Sequence, residues 1–180
     1  MASILERVTA KAGHGLVNVV IDTPKGSRNK YKYDDEARCF RLGRILPVGM
    51  SFPYDFGSIP QTLAEDGDPL DVLVIGQTAA FVGCLVTVRL IGTIRGKQTE
   101  KAKTIRNDRL VAVPVTPVND AEFTHIERLP RSWIEEVVHF FRSYNEAQGR
   151  KYEVTGFGGP AQARTALKAA EQRYRREHER

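Results

Sequence analysis

Cysteine is scarce in this chain of 180 residues: Cys39 and Cys84 stand alone, far apart and in no CxxC pair. A multi-disulfide framework and a thiolate zinc site are excluded. The two are expected to be free, buried thiols of a reducing cytoplasmic compartment. Long apolar runs are missing too. No stretch approaches the roughly 18 residues of a membrane-spanning helix, so no membrane partner is expected. The opening MASILERVTAKAGHG puts Glu6, Arg7 and Lys11 where a signal peptide needs an apolar core, so no secretion signal is expected. Repeats, low-complexity tracts and linkers are also lacking, and one domain over residues 1–180 is expected.

What is present is the composition of an ordinary globular protein, with 41% hydrophobic and 27% charged residues. The net charge of +5 gathers at the end, where EQRYRREHER mixes Arg173, Arg175, Arg176 and Arg180 with Glu171, Glu177 and Glu179. This reads as a solvated helix end whose cations suit the C-terminal dipole, with nucleic-acid contact as the lesser alternative.

The first two thirds read as short strands: Leu16–Asp22, Lys30–Asp34, Cys39–Leu46, LDVLVIG, Cys84–Ile94 and Arg109–Val115. Strands at this spacing, punctuated by Gly and Pro, predict a small closed or nearly closed barrel. The period then changes. RSWIEEVVHFFRSYNEA sets Trp133, Val137, Phe140, Phe141 and Tyr144 on one helical face, with Ser132 and Glu135 as a capping box. After the loop GFGG a second helix is predicted from Pro160 towards Arg180. The fold class is mainly β with flanking helices (α+β), a barrel followed by two helices.

The segment LAEDGDPLDVLVIG carries the chemistry. Glu65, Asp66, Asp68 and Asp71 crowd within seven residues against an apolar strand. Close carboxylates stay ionised cheaply only when something positive sits among them. All-oxygen ligation points to magnesium, manganese or calcium. An EF-hand is excluded, because Asp71 falls where its glycine is needed and Gln77 where its last glutamate is needed. The bland alternative is an Asx-rich turn, since DGDP turns well by itself. Asp71 argues against that, because it lies inside the strand. Lys30 and Arg44 come from other strands, and cations beside a metal describe phosphoryl transfer.

EDGDPLDVLV resembles the D-x-D-P-x-D signature of the soluble family I inorganic pyrophosphatases. VIDTPKGSRNKYKYD, FPYDFGSIP, LVAVPV and HFFRSYN follow in that family's order, over about residues 16 to 155. The resemblance implies a five-stranded OB-like barrel, usually assembled as a homo-oligomer, with hexamers typical of bacteria. It implies hydrolysis of pyrophosphate to two phosphates with several Mg2+ per site, Mn2+ being a possible substitute. Asp66, Asp68 and Asp71 would hold the central metals, and Asp68 would orient or deprotonate the attacking water. Asp22 stands where the family has an acid, usually glutamate. Lys30, Arg44 and Tyr144 match positions that grip phosphate, and Phe56 forms part of the site wall.

Several positions depart from the family. Lys32 replaces a common glutamate, Phe56 a tyrosine, and Asn145 a lysine. Asn107-Asp108-Arg109 replaces Asp-x-Lys, leaving Asn107 as an uncharged metal ligand and Arg109 as a phosphate-binding cation. Strand alternation would turn Asp108 to the opposite face. Glu100, in a loop longer than usual, is the candidate for a further distal ligand. Lys32 would replace the cation absent at Asn145, since KYK puts Lys30 and Lys32 on one strand face. Two other readings stand beside this one. The first is a phosphohydrolase for polyphosphate or another pyrophosphate-containing substrate. The second is a nucleic-acid-binding OB module, which the aspartate cluster disfavours by repelling a polyanion.

Overall fold

The computed structural model describes residues 3–115 and 123–178. A short helix, α1 (Ile4–Arg7), precedes β1 (Lys11–Gly13), β2 (Leu16–Thr23), β3 (Asn29–Asp34) and β4 (Cys39–Ile45). Then come β5 (Asp55–Ile59), β6 (Leu70–Val74), β7 (Leu85–Glu100), β8 (Lys103–Arg106) and β9 (Arg109–Pro114). Helix α2 (Arg131–Glu146), strand β10 (Lys151–Gly158) and helix α3 (Pro160–His178) complete the order.

Five strands close a ring. β2 pairs with β5, β5 with β6, β6 with β9, β9 with β7, and β7 returns to β2. Of these pairings only β6–β9 is parallel. β3 and β4 form a separate two-stranded sheet. Closure removes the exposed edges that an open sheet of this size would carry.

The apolar runs are continuous because the ring strands are buried on both faces. Val72, Val74, Leu110 and Ala112 join one cluster, which α3 covers with Ala163, Leu167 and Ala170. Leu73, Val111 and Val113, one residue out of step, join a second, aromatic cluster, which α2 covers with Val137, Phe140 and Phe141. Burying a side chain the size of Phe141 contributes roughly 1.5–3 kcal/mol. Gly57 in β5 lets β2 come close, since a Cβ there would collide with the Val20 carbonyl and lie 2.8 Å from Val19 Cγ1.

Four sequence expectations are corrected. β10 lies between the two helices and takes in most of the presumed GFGG loop, pairing with β7. β5 lies in what the sequence left unassigned. The capping box at Ser132 and Glu135 does not form, because α2 starts two residues earlier with Pro130 at its N-cap, and Glu135 instead takes Arg131 at 2.7 Å. Neither cysteine is buried: Cys39 is exposed and Cys84 half-buried.

Candidate active site

A polar row crosses neighbouring strands of the ring on the side of the aromatic cluster. Ser58 on β5 lies directly opposite Asp71 on β6. Its Oγ donates to Asp22 Oδ2, on β2, at 2.7 Å. Beyond Asp71, Arg109 Nη1 at the start of β9 meets Asp71 Oδ2 at 2.7 Å and also donates to Asn107 Oδ1. Asp22, Ser58, Asp71 and Arg109 are therefore aligned by ring pairing, which fixes their spacing through the backbone ladder. The strand charge at Asp71, read from the sequence as having no structural use, does have a structural partner in Arg109.

The β3–β4 hairpin forms the facing wall. Lys30 and Arg44 are cross-strand partners, so both side chains leave the same face of the hairpin. Lys30 Nζ stands 5.3 Å from the Phe56 ring centroid and 5.5 Å from that of Tyr144. Arg109 Cζ stands 5.7 Å from the same Phe56 ring and 5.8 Å from Phe141. Phe56 thus separates two cations and offers each an aromatic face. Lys32 reaches across to Asp68, with Nζ 2.7 Å from Oδ1. That bond raises the Lys32 pKa above its ordinary value. Asn145 is buried and spends its amide on the Phe141 carbonyl at 2.8 Å.

The acidic loop is held from behind, in part by Thr62, which the sequence reading did not single out. Thr62 Oγ1 accepts from Leu70 N at 2.9 Å and donates to Ile59 O at 2.6 Å, closing the loop's base. Asp68 N donates to Asp66 Oδ1 at 3.2 Å, the local turn expected of DGD. Arg173 Nε of α3 donates to Leu63 O at 2.8 Å, and Leu63 N donates to Ala170 O at 3.1 Å. Part of the basic tail therefore anchors the acidic loop. Arg173→Ala is expected to cost roughly 1.5 kcal/mol, the range for a hydrogen bond to a charged group, while Arg173→Lys costs less; urea unfolding measures both.

A cavity of about 430 Å³ opens between this loop, the chain before β9, and α3. Glu65, Asp66, Asp71, Asn107, Asp108 and Arg109 line one wall. Asp108 lines it beside Asn107, against the alternation expected of a strand, because both residues precede β9 in irregular chain. Asp108 accepts from Gly96 N at 3.1 Å and pairs with Arg106 at 2.6 Å. Asn107 donates to Gln98 Oε1 at 2.8 Å. Glu100 is not part of the lining; its carboxylate lies 3.0 Å from Arg150.

Burial pushes the Asp22 carboxyl up from an ordinary 3.8 to about 7, and the neighbouring Asp71 charge adds to the rise. The Ser58 hydrogen bond and the Lys30 and Lys32 charges oppose it. Among the described residues no three His, Cys, Asp or Glu side chains converge as a ready cage for an ion. The donor chemistry of Asp66, Asp68 and Asp71 fits one hard divalent ion. Among the described residues Asp66 has no cation on it, and the Lys32 pair on Asp68 is exposed and cheap to break. Asn107, turned to Gln98 and Arg109, and Glu100, held by Arg150, do not fit a further ion.

Carboxylates set against lysines and arginines beside a closed β-ring fit the chemistry of phosphoryl transfer. The profile described as inorganic pyrophosphatase matches residues 19–175, and the chain belongs to that family. An inorganic pyrophosphatase of Synechocystis sp. is 37% identical over 156 residues, covering 85% of this chain and 88% of that one. One of Sulfolobus acidocaldarius is 38% identical over 159 residues, with 86% and 89% covered. The crystal structure of the Thermus thermophilus inorganic pyrophosphatase superposes with a TM-score of 0.87 at 30% identity, covering 97% of this chain and 99% of that one. The ring fold and the family read from the DGDPLD signature are both met.

Proposed function

We propose that this chain hydrolyses inorganic pyrophosphate to two phosphates with magnesium, which manganese can replace. The observation that carries this is the pairing of two walls: the Asp22–Ser58–Asp71–Arg109 row with Asp68 beside it, faced by Lys30 and Arg44. A divalent ion, when bound, supplies positive charge and lowers the pKa of the water it holds. Asp66 and Asp68 would hold it. Asp68 orients the attacking water and takes its proton. Lys30, Arg44 and the Tyr144 hydroxyl bind phosphate oxygens and neutralise charge on the leaving phosphate. Phe56 keeps water off the Lys30 side. Assembly as a homo-oligomer, a hexamer by family habit, and a cytoplasmic location belong to the same reading.

The test is phosphate release from pyrophosphate with magnesium and in EDTA, for the wild type and Asp68→Asn. Release is expected only with magnesium, and the variant is expected to lose about a hundredfold, the lower range for a general base. No release from the folded wild type overturns the reading. Faster release from tripolyphosphate than from pyrophosphate transfers it to a polyphosphate hydrolase.

A further inference from the structure

Four of the carboxylates that could act as donors around the cleft are held by cations of the chain itself. Lys32 holds Asp68 at 2.7 Å, Arg109 holds Asp71 at 2.7 Å, Arg106 holds Asp108 at 2.6 Å and Arg150 holds Glu100 at 3.0 Å. These cations come from β3, β9, β8 and the chain after α2, so no local sequence accident groups them. The first two pairs differ in kind. The side chains of Lys32 and Asp68 are 65% and 54% exposed, those of Arg109 and Asp71 only 12% and 25%. An exposed pair contributes about 0–1 kcal/mol and yields to a competitor. A largely buried pair does not, because separating it strands a charge in low dielectric.

We infer that the chain supplies from its own side chains part of the positive charge this site requires, with Arg109 as a fixed counter-ion on Asp71 and Lys32 as an exchangeable one on Asp68. One divalent ion per chain then binds at Asp66 and Asp68, entering by displacing Lys32. The released ammonium lies on the same strand face as Lys30, placed to meet a phosphate oxygen. The ion and the lysine exchange places, so ion binding arms a cation for the anionic substrate. This deepens the proposed reading and rests on it for the identity of the substrate, not for the ion chemistry.

The test uses the full chain without substrate. Mn2+ is titrated at neutral pH and free ion is followed by electron paramagnetic resonance, for the wild type, Lys32→Gln and Lys32→Glu. The wild type is expected to bind one ion per chain. Lys32→Gln is expected to bind one ion about tenfold more tightly, and Lys32→Glu more tightly still. In parallel, the lysines are 13C-methylated and the Lys32 signal, identified by its loss in Lys32→Gln, is expected to shift on adding Mg2+ to that of a solvated amine. Two ions of similar affinity in the wild type overturn the inference. So do an affinity unchanged in Lys32→Gln, a Lys32 signal indifferent to Mg2+, or no Mn2+ bound. Phosphate release is scored separately. Hydrolysis with two bound ions sinks the inference and leaves the function standing, whereas one exchangeable ion without hydrolysis does the reverse.

Discussion

In EDTA, the wild type is expected to lose stability between about pH 5 and pH 8 relative to Asp22→Asn. The cause is burial at the β2–β5 junction. Asp22 is 7% exposed, and its carboxyl is raised to about 7 from 3.8. Between those values the folded state holds a proton that the unfolded state has released. Stability therefore falls as pH rises through this window and stops falling above pH 7. Two pH units at about 1.36 kcal/mol each give a difference of about 3 kcal/mol between pH 5 and pH 8. The full penalty above pH 7 is on the order of 4 kcal/mol. Asparagine is neutral throughout, and its carbonyl can still accept from Ser58. Urea unfolding of both proteins at the two pH values cancels the other titrating groups. Parallel curves would mean that Asp22 is ionised in the folded protein, paired with Lys30 or Lys32 more closely than its burial suggests.

The same burial explains what the sequence could and could not disclose. Strands β2, β6, β7 and β9 were legible because two-faced burial demands continuous runs of Val, Ile and Leu. β5, DFGSI, was not, although all five of its residues are buried. It is short, and its glycine and serine are there for the approach of Val20 and the hydrogen bond to Asp22, not for hydrophobicity. β10 hid for a similar reason. Its glycines sit where side chains would strike Arg95 and Thr93, and Gly156 takes a φ of 150° at a bulge. A glycine-rich tract chosen for close packing looks in sequence like a loop.

At the site, the sequence names candidate residues but not their partners. The DGDPLD spacing places Asp66, Asp68 and Asp71 close together along the chain. It carries no sign that Asp68 meets Lys32, 36 residues away in the chain, because the packing of the β3–β4 hairpin against the acidic loop, not sequence proximity, makes that contact. Lys32 was read as a phosphate cation, and in the structure it sits on a carboxylate. Arg173 was read as a solvated tail cation, and its Nε holds the acidic loop across 110 residues. Both departures have one source. A long cationic side chain goes to whatever acceptor the fold brings within reach.

Arg109→Met is expected to be the most destabilising single change at the site, by about 3 kcal/mol, the lower range for removing one partner of a buried ion pair. Three losses add up. Asp71 keeps its charge at 25% side-chain exposure with no cation on it. The buried Asn107 loses the donor on its carbonyl. Phe56 and Phe141 lose the guanidinium against their rings. Arg109→Lys keeps the charge and is expected to cost roughly half as much, because an ammonium on a flexible stem does not reproduce the planar guanidinium held against Phe56 and Phe141. Asp71→Asn in the Arg109→Met background removes the stranded charge. It is expected to recover about 2 kcal/mol, a coupling that a double-mutant cycle in urea reads directly. A cost below about 1 kcal/mol for Arg109→Met would place the pair in solvent. Arg109 would then be no more fixed than Lys32, and a divalent ion could claim Asp71 as readily as Asp68. The energy of this one pair therefore decides how much of the site's positive charge is built in and how much must be bound.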